Sequence, residues 1–312
     1  MQGNCNGDYL YSIQGGHYMS KIIRNDVLNW LLEDENPEVK YRTMIELLDM
    51  PKDKSEVKKA YNSLLNSGTV SLVMDKFKLN KKWEDVTALI ALAEFGLTRS
   101  DISTDDYIER IIKSMDLKYM KCSKILLLRN LVSLGYYEHE WVKKQIFLSF
   151  SGIREDGTFR CLDKGKKTND SKLPDMGCYR QTTTYLLLAA ELIKIGVVLP
   201  QFEQLTNFYI NNCVIFHPNN PEKLIIEEMA GTYYPFDHVK LGLQMIMYGL
   251  SVLGVANHPN CDKAWALLDS KKNSYGKYVL DKSHPYFDVG KVGEPNKWIT
   301  LYVLLAEKYR TL

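Results

Sequence analysis

The sequence predicts an all-α fold, and three observations predict it. Apolar residues recur at helical spacing along most of the chain. Other runs are apolar on nearly every side and end at a Gly. Alternation of apolar and polar residues over a strand's length is scarce, and no Asn-Gly turn joins two such stretches.

The chain opens with a segment unlike the rest. Residues 1–18 are polar, Gly-rich and aperiodic, and the helical pattern begins after Met19. Residues 1–18 are therefore read as a disordered leader or cloning remnant, and residues 19–312 as a single domain. Asn36-Pro37 is a cap and first-turn pair. Tyr41, Met44, Ile45 and Leu48 follow on one face, and Pro51 ends that helix. Val57, Tyr61, Leu64 and Leu65 repeat the pattern, with Gly68 read as its stop. Ser103-Thr104-Asp105-Asp106 reads as another start, because carboxylates are favoured at the positive end of a helix.

The second class of helix has no polar face. Its members are Ala88 to Ala93, Ile125 to Leu128, Tyr185 to Ala190, Leu243 to Leu253 and Ile299 to Ala306. Such helices must be covered all round. Phe95-Gly96, Leu134-Gly135, Ile195-Gly196 and Leu253-Gly254 are C-cap signals at their ends. Buried and half-buried helices alternate, which is an internal repeat of irregular spacing. Helix hairpins of this kind stack in an open row or close into a ring. The fully apolar set favours the ring, with apolar helices inside and amphipathic ones outside. Asp156-Gly157-Thr158-Phe159 and Ser274-Tyr275-Gly276-Lys277-Tyr278 occupy matching places between an amphipathic helix and a polar loop. In each, Gly permits a tight turn, and the aromatic two residues on plugs the gap between hairpins.

Composition excludes several classes. The chain is 45% hydrophobic and 25% charged, which is ordinary for a globular core. Its 40 basic and 38 acidic residues give a net charge of +2, with no basic block to hold nucleic acid. No apolar run reaches the roughly 18–20 residues that span a bilayer. No basic-then-apolar export signal is visible, so a cytoplasmic location is expected. Cys5, Cys122, Cys161, Cys178, Cys213 and Cys261 are then thiols in a reducing compartment. No Ser-His-Asp order, phosphate-binding Gly loop or dinucleotide fingerprint is present. His217, His258 and His284 lie beside prolines and are read as surface residues.

Candidate chemistry gathers where carboxylate, thiol and imidazole fall at helix edges. Asp175 and Cys178 lie in Lys172-Leu173-Pro174-Asp175-Met176-Gly177-Cys178-Tyr179, and Asp237-His238 follows later. Zinc accepts all three donor types and, in a catalytic site, keeps one position open for substrate or water. Asp175, Cys178 and His238 are the candidate ligands, with Cys161 as an alternative. In the other reading Cys178 packs as a small apolar residue, and Asp237 caps the helix beginning beside it with His238 in its first turn. Lys172, Arg180, Tyr179 and Arg160 would suit a phosphate group near a helix start. Against that, Asp163, Asp170 and Asp175 dilute the positive charge of this loop. Tyr179, Tyr185, Tyr233, Tyr234, Phe236, Tyr248 and Trp298 fall on or beside the inner helices. They are either core packing or a wall for an isoprenoid chain.

The Gly-aromatic turns and apolar helices resemble the repeats of the terpenoid cyclase and protein prenyltransferase superfamily. That resemblance covers most of residues 21–312 and implies an α/α toroid of helix hairpins around a cavity. The C-terminal third is similar to bacterial proteins with prenyltransferase and squalene oxidase repeats. The likeness there rests on Phe236-Asp237, Ala264-Trp265-Ala266-Leu267-Leu268, Lys271, Gly276 and Pro295-Asn296-Lys297-Trp298-Ile299-Thr300-Leu301. The Lys172 to Tyr179 run resembles the β subunit of protein prenyltransferases, where an Asp, a Cys and a later His bind zinc and the Lys and Tyr hold a diphosphate. Here two residues separate Asp175 from Cys178 where that family has one, and His238 directly follows Asp237.

The resemblance implies an enzyme acting on an isoprenoid or other elongated apolar substrate, with zinc as its cofactor and a helical subunit as partner. Asp237 and Tyr179 are its candidate catalytic residues. Lys172, Arg180, Arg160, Tyr233, Tyr234 and Trp298 are its candidate substrate-binding residues, for an apolar small molecule or a prenyl diphosphate. The Asp-x-Asp-Asp run of squalene-type cyclases is absent. The alternative is a non-catalytic toroid that holds a ligand or partner.

Overall fold

Helices form where the apolar periodicity places them. The computed structural model describes residues 24–78, 82–114, 122–160, 176–235, 241–283 and 290–311. It carries α1 (Asn25–Leu31), α2 (Pro37–Arg42), α3 (Ser55–Leu65), α4 (Gly68–Lys78), α5 (Lys82–Glu94), α6 (Asp105–Ser114), α7 (Cys122–Ser133), α8 (Glu140–Phe150), α9 (Tyr179–Lys194), α10 (Gln201–Asn211), α11 (Leu243–Val252), α12 (Asp262–Asp269) and α13 (Lys297–Arg310). A π-helical turn, Thr43–Leu47, continues α2. Among the described residues the only sheet is the antiparallel pair β1 (Phe216–His217) and β2 (Asn220–Leu224). The described residues are predominantly helical, consistent with an all-α fold apart from that hairpin. The expected leader, residues 1–18, lies outside the described residues.

The five apolar runs lie in α5, α7, α9, α11 and α13. Each of these helices is buried along most of the length whose side chains are described. The four predicted C-caps form as one motif. Gly96, Gly135, Gly196 and Gly254 all have positive φ, between 73° and 88°. Each Gly N–H returns to the carbonyl three residues back, and the next N–H returns to the carbonyl five residues back. An example is Tyr136 N to Leu131 O at 2.8 Å. That pairing satisfies carbonyls the helix end would otherwise leave bare. Gly68 behaves differently from expectation. The helix before it ends at Leu65, and Gly68 opens α4. Gly reads equally as an end or a beginning when two helices follow closely.

The buried helices α5, α7, α9 and α11 also pack on amphipathic ones next to them in the chain, as α2 does on α3. The pairs are α2 with α3, α4 and α6 with α5, α8 with α7, α10 with α9, and α12 with α11. The buried helices then pack on one another in chain order: α5 on α7, α7 on α9, α9 on α11, and α11 on α13. The last of them, α13, packs on the Thr43–Leu47 turn and on α2. From α2, Arg42 donates to the Glu94 carbonyl at the end of α5 at 3.2 Å.

The two Gly-aromatic turns are hydrogen-bonded alike. Gly157 and Gly276 adopt φ of 78° and 80°. Gly157 N donates to Arg154 O and Gly276 N to Asn273 O, each at 2.9 Å. Phe159 N bonds Thr182 Oγ1 on α9 at 3.1 Å, and Tyr278 N bonds Thr300 Oγ1 on α13 at 2.9 Å. Phe159 O receives Cys178 N at 2.8 Å, and Tyr278 O receives Asn296 N at 2.9 Å. Both aromatics are buried, and Phe159 stacks on Tyr185 with centroids 3.4 Å apart. The repeat read from sequence thus extends to the bonds that seat each turn on the following buried helix.

Candidate functional site

The turn equivalence places Cys178 and Asn296 at the same point, the N-cap of a buried helix. Asn296 caps α13, its Oδ1 accepting from Trp298 N at 3.0 Å and Ile299 N at 3.2 Å. Cys178 makes no such cap bond on α9. A thiol is a poor substitute for an amide oxygen there. Cys178 is half-buried and, like Cys122, Cys213 and Cys261, takes part in no disulfide among the described residues.

Near it the predicted residues divide. Tyr179 is fully buried, and its hydroxyl donates to the Val214 carbonyl. Burial, with Tyr209 beside it, holds its phenol well above the ordinary range. Arg180 pairs with Glu228, and Tyr233 donates to the Glu228 carbonyl at 2.8 Å, so these two meet on one turn. Arg160 is exposed at the end of the Gly157 turn. Tyr234 and Trp298 come together elsewhere, edge to face with centroids 6.1 Å apart. Phe95 stacks on Trp298 at 6.4 Å, and the Arg42 guanidinium lies 5.8 Å from its ring centre. Lys172, Asp175, Cys161, Asp237 and His238 lie outside the described residues.

The reading of Asp237 as a helix cap, with His238 in the first turn, falls on residues outside the described ones. The next described helix, α11, begins at Leu243 with Gly242 as N-cap. Gly242 approaches the Gly231 carbonyl and the Gln244 side chain more closely than a side-chain-bearing residue allows, and Leu243 N bonds Gly231 O at 2.8 Å. That crossing fixes the start of the helix. Among the histidines, His258 is exposed and caps the Pro259–Cys261 turn, whereas His217 is half-buried in β1. His284 lies outside the described residues.

The densest chemistry lies where the sequence suggested only apolar helix. Glu94 on α5 accepts from Arg129 on α7 at 2.8 Å and from Arg42 on α2 at 3.2 Å. Tyr302 on α13 donates to the same Glu94 carboxylate. Its oxygen receives Arg42 at 3.2 Å and Arg129 at 3.4 Å. Arg129 also reaches Glu191 on α9 at 3.4 Å. The side chains of Arg42 and Glu94 are 4% and 1% exposed, and those of Arg129 and Glu191 are 5% and 6% exposed. Glu46 takes two further bonds from Arg42, both 2.8 Å. Lys194 lies 3.2 Å from Glu191, 3.8 Å from Glu46 and 3.4 Å from the Tyr248 hydroxyl on α11. Every buried helix of the series therefore contributes a polar group to one connected set.

Electrostatics favour the charged forms of Arg42, Arg129 and Glu46 within the set. Burial opposes the charge on Arg42, but Glu46, Tyr302 and Glu94 hold it well above its ordinary value. Burial likewise opposes Arg129, and Glu94, Tyr302 and Glu191 outweigh it. Glu46 is held down to about 2, because Arg42, Lys194 and Lys308 overcome its desolvation. Burial and Glu94 push Tyr302 up to about 12 against the two arginines. Charges so placed compensate one another at high energetic stake.

Among the described residues no group of three His, Cys, Asp or Glu side chains is placed to hold a metal. None of the helices there is long and apolar enough to cross a membrane. A surface cleft lies between the Gly157 turn and α10, lined by Glu155, Asp156, Glu203, Gln204, Asn207 and Asn211. It contains no residue predicted for the site. The chain matches no family model, and neither a curated protein nor a solved structure is recognisably similar to it.

Proposed function

We propose that the buried helices close into an α/α toroid of the prenyltransferase and terpenoid-cyclase kind. Its ligand is an isoprenoid or other elongated apolar molecule, held near the N-terminal ends of those helices. The observation that supports this reading is the order of helix packing. It runs α5, α7, α9, α11, α13 and returns through α2 to Glu94. The Tyr234, Trp298 and Phe95 rings at the start of α13 and the end of α5 offer an apolar, π-rich wall. In this reading Cys178, Asp175 and His238, with Cys161 in reserve, hold zinc, which would acidify a bound thiol or water. The diphosphate falls to Lys172, Arg180 and Arg160. A helical subunit completes a transferase, and the protein works in the cytoplasm.

Elemental analysis of the untagged protein, with titration of farnesyl diphosphate, tests this. One zinc per chain, lost in Cys178→Ala and His238→Ala, supports the enzyme. Metal-free protein that ignores the diphosphate rejects it.

A specific observation favours a second reading, a non-catalytic toroid that binds a ligand or partner. Arg42, Glu94, Arg129, Glu191 and Tyr302 fill the space between the buried helices with paired charge. An apolar chain cannot share that level without stripping buried ions of their partners. Room for an elongated ligand then ends at this network.

A further inference from the structure

Glu38 stands apart from the buried ion pairs. It lies one helical turn before Arg42 on α2 and is 6% exposed, and its Oε2 has no hydrogen-bond partner. Asn36 and its own backbone N–H serve the carboxyl, and the charge that bears on it from α13 is Lys297. Lys297 is engaged elsewhere, 2.8 Å from Glu33 and 3.6 Å from Glu35. Burial outweighs these effects and raises the Glu38 carboxyl above its usual range. A buried polar atom left unpaired is costly, and buried acids of this kind concentrate at binding sites.

Its surroundings are those of a ligand wall. Burial chiefly raises the Tyr234 phenol, and Glu38 and Glu94 add to that electrostatically. The Tyr234 hydroxyl is hydrogen-bonded to Trp298, whose ring also meets Phe95 and Arg42. Tyr234 is half-buried, so the group reaches the surface.

We propose that Glu38 is a ligand-binding residue, and that its unpartnered oxygen recognises an uncharged hydroxyl group on an apolar molecule packed against Tyr234 and Trp298. The inference rests on the apolar-ligand reading above and adds the chemistry of the ligand's polar end. The free carboxyl oxygen accepts one hydrogen bond from such a hydroxyl. It offers nothing to a hydrocarbon and does not compensate a diphosphate's charge.

Calorimetric titration of the full chain with farnesol and with the hydrocarbon farnesene tests it. Wild type is expected to bind farnesol about tenfold more tightly, the worth of one buried hydrogen bond. Glu38→Leu keeps an apolar side chain of similar size, removes the acid, and is expected to bind the two equally. A preference for farnesol that survives in Glu38→Leu overturns the role of Glu38. Equal binding of both probes by wild type overturns it too, while leaving the apolar-ligand reading intact. Binding of neither probe by folded wild type rejects both proposals.

Discussion

Tyr302 donates its hydroxyl hydrogen to Glu94 across 208 positions of sequence. The bond joins α13 to α5. Two arginines complete the contact, Arg42 and Arg129 each bonding both the tyrosine oxygen and Glu94. Helices distant in the chain are thereby held by directional bonds as well as by apolar contact. Dispersion and burial supply most of the cohesion. The ionic set fixes which faces meet.

Removing one member should therefore be severe. Arg129→Met leaves Glu94 and Glu191 short of a cation in a water-excluded place. The expected loss is about 3–5 kcal/mol of folding stability, as for other broken buried pairs. Urea denaturation followed by circular dichroism measures it. A loss within the ±0.5 kcal/mol common for surface changes would mean that water reaches these charges.

Acid should weaken the fold through Glu46. Its carboxyl is held down to about 2, against an ordinary 4.5. A depressed folded pKa stabilises the native state above the unfolded pKa, and that contribution fades as pH falls through the folded one. The window is thus pH 5 down to 2, and the contribution at neutral pH is about 3 kcal/mol. Glu46→Gln is expected to be less stable than wild type at pH 7 and to converge with it near pH 2. Parallel stability curves for the two proteins would contradict the assignment.

The glycines separate conformational strain from crowding. Gly196 has φ of 79° and open space where a Cβ would stand. Gly196→Ala should cost about 1 kcal/mol, from backbone strain alone. Gly157 has nearly the same φ of 78°, but a Cβ there collides with the Gln204 carbonyl on α10. Gly157→Ala should cost at least twice as much. Equal melting temperatures for the two variants would show that the turn does not press on α10.

Local features of the fold were legible because their causes are local. The run Ala88 to Ala93 has no polar face, and Gly96 follows it; propensity and cap chemistry need no distant partner. Gly157 and Gly276 announced their turns in the same way. The ionic set was not legible, since Glu94, Arg129 and Glu191 each appear as one charge inside or just after an apolar run. Their partners come from other helices, and only tertiary packing reveals the match. The weak signal was the charge itself, since a helix apolar on all other faces has no surface on which to leave it. Among the site residues, Arg180 and Tyr233 converge on Glu228, and Tyr234 and Trp298 converge on each other. Sequence spacing does not encode either convergence. The start of α11 at Leu243 matches the apolar run, whereas the glycine crossing that seats it is a tertiary contact no spacing reveals.

A double-mutant cycle of Glu94→Gln and Tyr302→Phe tests most directly the claim that the buried helices are tied across their series. Stability of the four proteins is read from denaturant midpoints and slopes. A hydrogen bond to a charged group between these two side chains predicts a coupling of about 1.5–3 kcal/mol. Additive losses, with coupling below about 0.3 kcal/mol, would mean that α5 and α13 are not joined through these residues, and the arrangement described for the core would be wrong.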